Sequence, residues 1–261
     1  MSDSKKLSKE RYSQFAEGYV TSLTHAKGAD LNMLLDMAKP QSGWHVLDIA
    51  TGGGHTALKF APHVEKVIAS DLTPKMLEKA EQFVTSQGIT NVSFKVADAE
   101  NLPFEDEQFD LVTCRIAPHH FPDVAKFVQE SARVLKTGGL LLIQDHVLSE
   151  NTDVANLADS FEKLRDPSHN KAYSASAWIN FLEDAGLNVD FTHELTKRHQ
   201  FLDWSARQGN DAQTQARLIE ILATASDDVK DWMQPLEWGS DDASFVNHHI
   251  ILVAYKSDSK N

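Results

Sequence analysis

Between Gly43 and Leu148 the chain alternates short apolar runs with amphipathic segments. The runs cover residues 46–50, 67–69, 92–96, 109–114 and 140–143. Four have the length and apolar continuity of strands covered on both faces, while Val92, Phe94 and Val96 alternate as on a half-covered strand. The segments between them have readable ends. Thr73 reads as an N-cap with Pro74 at the first helical position; Met76, Leu77, Ala80, Phe83 and Val84 form an apolar stripe, and Gly88 closes the helix. A second helix is expected to start near Pro122 and Asp123, run through Phe127, Val128 and Leu135, and stop at Gly138 and Gly139. Strand–helix alternation of this kind predicts right-handed crossovers and an α/β, doubly wound, Rossmann-like parallel sheet.

The pattern changes on either side. Residues 8–38 read as helical and are ended by Pro40, so residues 1–42 are expected to form an N-terminal helical lid outside the sheet. Residues 43–148 form the core. Beyond it, Val154, Leu157, Ala158, Phe161 and Leu164 share one helix face, and Trp178, Phe181, Leu182 and Ala185 form a further stripe stopped by Gly186. Residues 187–199 and 245–255 read as strands. The stretch between them is helical in pattern, contains Trp204, Trp232 and Trp238, and is too long to be a mere connection. Residues 149–261 are therefore expected to complete the sheet and add a helical substrate cap, all within a single structural domain.

Composition narrows the function. Among 261 residues, 25 basic and 38 acidic side chains give a net charge of −13. Residues 1–147 hold 15 basic against 19 acidic residues, and residues 148–261 hold 10 against 19, so the surplus lies in the second part. Such a surface displaces no phosphate counterions and is repelled by anionic lipid, which argues against nucleic acid and membrane as partners. The lone Cys114 excludes a disulfide framework and a multi-thiol site. Residues 1–11 are polar, unlike a signal peptide, and no apolar run is long enough to span a bilayer. A cytoplasmic protein acting on a small molecule, as monomer or homodimer, is expected.

The chemistry is expected at the turn after the first strand. Gly52-x-Gly54-x-x-Ala57 fits a dinucleotide fingerprint, so its spacing alone leaves the ligand open, with a ligand-free turn as the bland alternative. Three acids discriminate. Asp48, within the first strand, would repel a pyrophosphate and favour an ammonium or sulfonium. Asp71, ending the second strand, is placed to accept from ribose hydroxyls. Asp98, after the third, is placed to accept from an adenine amino group. Acids at three consecutive strand ends suit a zwitterionic adenosyl cation better than NAD.

These residues carry a family resemblance. Residues 46–54, 71–77, 98–104, Phe109-Asp110-Leu111-Val112 and Leu135-Lys136-Thr137-Gly138-Gly139 occur in the order of class I S-adenosyl-L-methionine (SAM)-dependent methyltransferases. The chain resembles their UbiE-like branch, the ubiquinone/menaquinone-biosynthesis type. Its likeness is greatest to a bacterial subgroup with Cys114-Arg115-Ile116-Ala117-Pro118-His119-His120-Phe121 and an N-terminal segment like residues 16–31. The resemblance implies a seven-stranded sheet ordered 3-2-1-4-5-7-6 with strand seven antiparallel, SAM as cofactor and S-adenosyl-L-homocysteine (SAH) as product. It places Gly52 and Gly54 at the amino-acid end of SAM, near Ala50 and Thr51, and Asp71 on the ribose. It further implies Leu72 and Met76 against adenine, Asp98 at the adenine amino group with the Ala99 amide beside it, and Arg115 and Ile116 along the methionine portion. Tyr19, His25 and Gly28 would close the lid.

In-line methyl transfer needs alignment, exclusion of water and, for some nucleophiles, a base. His119 and His120 are the candidate bases; the alternative is that one packs structurally and the other is solvated. His146, at the end of the fifth strand, faces the same rim and could touch substrate, but a surface histidine is the preferred reading. His248 and His249 point to opposite strand faces, and no histidine spacing suggests a metal site. Trp178, Trp204, Trp232 and Trp238 either line an aromatic pocket or pack the accessory helices. The expected function is methyl transfer to carbon or oxygen of a small apolar or aromatic acceptor. The rival is a SAM-fold protein serving as a non-methylating cyclase or binding module.

Overall fold

The structure, a computed structural model, describes residues 3–21 and 29–257, with side chains described for 3–13 and 30–257. Strands β1 (His45–Ile49), β2 (Lys66–Asp71), β3 (Val92–Val96), β4 (Phe109–Arg115) and β5 (Leu135–Leu148) form the parallel part of a sheet ordered β3-β2-β1-β4-β5-β8-β7. β8 (Ser244–Lys256) runs antiparallel between β5 and the edge strand β7 (Leu187–Gln200). A two-residue strand, β6 (Tyr173–Ser174), pairs only with the end of β5. Apart from that short pairing, the sequence of strands is the one the motifs imply.

Side-chain alternation sends each central strand to two cores. Leu47, Ile49, Val112, Ile143 and Leu252 pack on one face against Phe127 of α5 (Val124–Val134) and Trp178 and Leu182 of α7 (Ala175–Asp184). Val46, Leu111, Leu142 and Ile251 pack on the other against Leu34 of α2 (Ala29–Ala38) and Phe60 of α3 (His55–Phe60). The remaining crossover helix, α4 (Pro74–Ser86), ends beside Gly88, whose φ of +78° supplies the expected stop. A helix α1 (Asp3–Thr21) precedes the sheet and packs on α4.

One boundary differs from expectation. α5 ends at Val134, and Leu135 already pairs with Phe109 as the first residue of β5. The two glycines sit inside the strand's entry. A Cβ on Gly139 would lie 2.8 Å from the Lys136 carbonyl oxygen and 3.1 Å from that of Asp110, and Gly138 takes a φ of +77°, so the pair marks a turn with a close backbone approach at Gly139, not a helix stop.

Beyond β5, α6 (Thr152–Arg165), α8 (Phe201–Ala206), α9 (Ala212–Ala223) and α10 (Asp227–Met233) build a third core from Phe161, Phe201, Trp204, Leu218, Leu222 and Phe245. No described helix is long and apolar enough to cross a membrane.

Candidate functional site

A cavity of about 480 Å³ opens along the carboxyl ends of β1, β2, β4 and β5, the edge where a doubly wound sheet presents its loops. The β1–α3 turn forms its floor. Gly52 has φ of +54° and Gly54 +83°, and a Cβ on Gly54 would approach Val84 Cγ2 to 3.0 Å, so this turn requires glycine. Ala50 and Ile116, at the ends of adjacent strands, also take positive φ, each 52°. For a β-branched residue that is strained backbone, and it lies in the cavity wall.

The three acids stand along this wall in different states. Asp48 is buried and accepts from Thr51 Oγ1 at 2.6 Å and Thr113 Oγ1 at 2.7 Å. Burial pushes its carboxyl up to about 6 despite those hydroxyls. Asp71 accepts from the amides of Gly52 at 3.1 Å and Thr73 at 2.8 Å, tying the glycine turn to the end of β2; burial raises it. Asp98 lines the cavity too, but its carboxylate holds Lys5 of α1, which also pairs with Glu100. Leu72, Met76 and Ala99 complete this end, and Thr51, Arg115 and Ile116 continue it.

Arg115 leads to a residue that sequence reasoning missed. Its Nη2 lies 3.1 Å from Asp30 Oδ2, the oxygen that also takes Gln144 Nε2 at 2.7 Å and Lys197 Nζ at 2.9 Å. One buried carboxylate thus joins α2, β4, β5 and β7. Burial opposes its charge, but Arg115 and Lys197 outweigh that and hold it well below the carboxylate range. Its only signal in the sequence was an acid at a helix start.

The two candidate histidines separate clearly. His119 Nδ1 lies 2.5 Å from Asp145 Oδ1, and its backbone amide donates to Oδ2 at 2.7 Å. Burial holds the imidazole well below its usual value and raises Asp145 to about 7, so the proton between Nδ1 and Oδ1 belongs to the pair, and Nε2 is the ring nitrogen with no described hydrogen-bond partner. His120 has no such freedom. Its Nδ1 donates to the Ser168 carbonyl at 2.9 Å and its Nε2 accepts from Tyr12 of α1. Both residues line the cavity; His120 serves as an anchor for α1.

His146 corrects an expectation. It is not on the surface but in the cavity, stacked on His119 at 4.6 Å and edge-on to His249 at 4.6 Å. β5 runs beyond its apolar stretch, and the antiparallel register sets His146 opposite His249. His248 faces the other way and stacks on Trp232. The tryptophans divide similarly. Trp204 lines the cavity, whereas Trp178 belongs to the sheet core and Trp238 to the third core. Cys114 is a buried core residue. Of the expected lid residues, His25, Gly28 and the side chain of Tyr19 lie outside the described residues.

The donor set fits SAM. A buried carboxylate without a basic side chain bonded to it (Asp48), a glycine turn and a strand-end acid (Asp71) share one wall. Comparison with known proteins agrees. A methyltransferase-domain family model matches residues 40–224. The chain is 38% identical over 220 residues to the uncharacterized methyltransferase YcgJ of Bacillus subtilis, covering 84% of this chain and 87% of that one. It is 39% identical over 107 residues to a UbiE ubiquinone/menaquinone biosynthesis C-methyltransferase of Francisella philomiragia, covering 40% and 43%. The crystal structure of the Bacillus halodurans protein BH2331 superposes with a TM-score of 0.85 at 38% identity, covering 88% of this chain and all of that one.

Proposed function

The chain belongs to the methyltransferase-domain family and has the class I SAM-dependent methyltransferase fold, and from that premise we propose that it methylates oxygen or carbon of a small molecule with His119 as general base. The observation that carries this reading is the His119–Asp145 pair, set in the same cavity as the glycine turn. SAM, when bound, supplies a sulfonium methyl that passes to the acceptor's lone pair while the C–S pair returns to sulfur, giving SAH.

The chain's own residues do the rest. Gly52 and Gly54 open the floor for the amino-acid end, beside Ala50 and Thr51, and Arg115 and Ile116 flank the methionine portion. Asp48 offers negative charge to a cation. Asp71 takes the ribose hydroxyls, Leu72 and Met76 pack on adenine, and Asp98 accepts from the adenine amino group with the Ala99 amide beside it. Tyr19, His25 and Gly28 are proposed to close the lid. His119 Nε2 receives the acceptor's proton, and Asp145 fixes the tautomer that leaves this nitrogen free. α1, held by Lys5 and Tyr12, keeps water from the cavity mouth.

The test has two stages. Micromolar SAM or SAH should raise the melting temperature through linkage, and NAD should not. With an acceptor found by screening, product carrying a SAM-derived methyl supports the reading. Conversion of an acceptor without consumption of SAM would instead establish the cyclase alternative.

A further inference from the structure

The far end of the cavity carries chemistry that methyl transfer does not by itself require. β5, β8 and β7 lie side by side there. Their register puts His146 opposite His249 and Lys197 opposite Asn247, with His199 two residues further along β7 on the same face. Arg165, which ends α6 and donates Nε and Nη2 to the Trp204 carbonyl, and Arg207, just past α8, line the same cavity from the helical side.

The acids of this chamber are occupied by protein donors. Glu162 accepts from Asn247 Nδ2 at 2.6 Å and lies 3.8 Å from Arg165. Asp166 accepts from Ser168 and Gln208, Asp159 from His169, and Asp145 from His119. The imidazoles are in the opposite condition. His249 is 3% exposed, and neither of its ring nitrogens has a hydrogen-bond partner. His146 and His199 line the same space, and no described residue hydrogen-bonds their rings. A fold does not keep buried N–H groups unpaired without cost.

The charge acting on His199 and His249 is mainly cationic, although Glu162 and Asp166 line the same cavity. Burial, then Arg207, Arg165 and Lys197, push His199 down to about 3, and burial, His146 and Lys197 hold His249 well below its usual value. An amine would meet the same repulsion. An oxyanion offers lone pairs to the imidazole N–H groups and charge to the cations. A metal fits less well: among the described residues no group of three or more His, Cys, Asp or Glu is arranged to hold one.

We propose that this chamber is an oxyanion subsite for the methyl acceptor. A carboxylate or phosphate on a small molecule is held between His199 and His249 on the sheet and Arg165 and Arg207 on the helical side. That grip turns the acceptor's nucleophilic atom toward His119. The proposal rests on the reading of the cavity as a methyl-transfer site and makes the acceptor polar and anionic instead of apolar.

The test titrates inorganic phosphate and, separately, malonate into the full chain saturated with SAH, at ionic strength held constant with chloride. Heat of binding and melting temperature are followed. Saturable binding of at least one anion is expected, and the preferred anion identifies the group the acceptor carries. His249→Leu and His199→Leu should each weaken it five-fold or more. Without anion both variants should melt no lower than the parent, because each removes an unpaired polar group. Absence of saturable binding beyond the chloride control, or binding unchanged in both variants, overturns the proposal. SAH binding, scored first, separates the two levels. If SAH binds and neither anion does, the subsite falls and the methyltransferase reading stands; if SAH itself does not bind, both fall.

Discussion

Lys5 and Asp98, 93 residues apart in the chain, are joined by two hydrogen bonds of 2.8 and 2.7 Å. This contact lays α1 across the Asp98 end of the cavity, and Tyr12 on His120 fastens the same helix seven residues further on.

Loosening that strap should show in ligand release. The Lys5 and Asp98 side chains are 14% and 32% exposed, which limits such a pair to about 0.5–1 kcal/mol. Lys5→Ala is therefore expected to speed SAH dissociation about 2- to 5-fold, read by stopped-flow, whereas Lys6→Ala at an exposed position leaves the rate unchanged. Equal rates for Lys5→Ala and the parent would show that α1 does not gate the site.

His119→Gln is expected to lower the methyl-transfer rate by about 10²- to 10⁴-fold, the usual worth of a positioned base. SAH affinity should stay within about 2-fold, because the imidazole takes a proton from the acceptor, not from the cofactor. Asp145→Asn should also slow transfer, since an amide no longer fixes the Nδ1–H tautomer of His119. His120→Ala should act instead on the melting temperature, through the lost Ser168 and Tyr12 contacts. A near-normal rate in His119→Gln would mean that alignment alone drives transfer.

Asp48 should trade stability for binding. Its folded carboxyl is raised to about 6 from an ordinary value of 3.8, so the strain of ionising it grows as pH rises from about 4 through 6. Asp48→Asn is expected to stabilise the ligand-free chain at pH 7 by about 1–3 kcal/mol, at about 1.4 kcal/mol per pKa unit. SAM should then bind at least 10-fold more weakly. Paired denaturant and calorimetric titrations check both halves, and unchanged SAM affinity would remove Asp48 from the binding site.

Asp30 carries the opposite sign. Its folded carboxyl lies below its unfolded value, so the stability it contributes is complete above about pH 4 and is lost as pH falls below that. Asp30→Asn leaves Arg115 and Lys197 without their shared anion and should cost about 3 kcal/mol at pH 7. The variant should also show a shallower acid-unfolding limb. An acid limb as steep as the parent's would assign the acid sensitivity to other carboxylates.

Much of the sheet was legible because a strand covered on both faces needs a largely apolar run, and such runs stand out at 46–50, 109–114 and 140–143. The helix stop at Gly138 and Gly139 was misread for a definite reason. A glycine after an apolar stripe marks either a helix end or a close backbone approach, and only the pairing of Leu135 with Phe109 separates the two. The cavity wall proposed to hold the cofactor was also readable, since Gly52, Gly54, Asp48, Asp71 and Asp98 all lie at or just past strand ends fixed by local pattern. The state of Asp98 was not, because its partner Lys5 comes from a helix whose docking no local rule describes.

The sequence by itself therefore determined the five parallel strands, the glycine turn and the positions of the three acids, since each depends on residues close together in the chain, whereas the strand order followed from the family resemblance. Only the tertiary structure decided which histidine is free. His119 and His120 are adjacent and chemically identical, and what distinguishes them is Asp145 on β5 against Ser168 and Tyr12 on other segments. The same holds for the polar far wall, where β5, β7 and β8 bring His146, His199 and His249 into one chamber. Register between distant strands creates that chamber, and register is set by packing of the whole sheet.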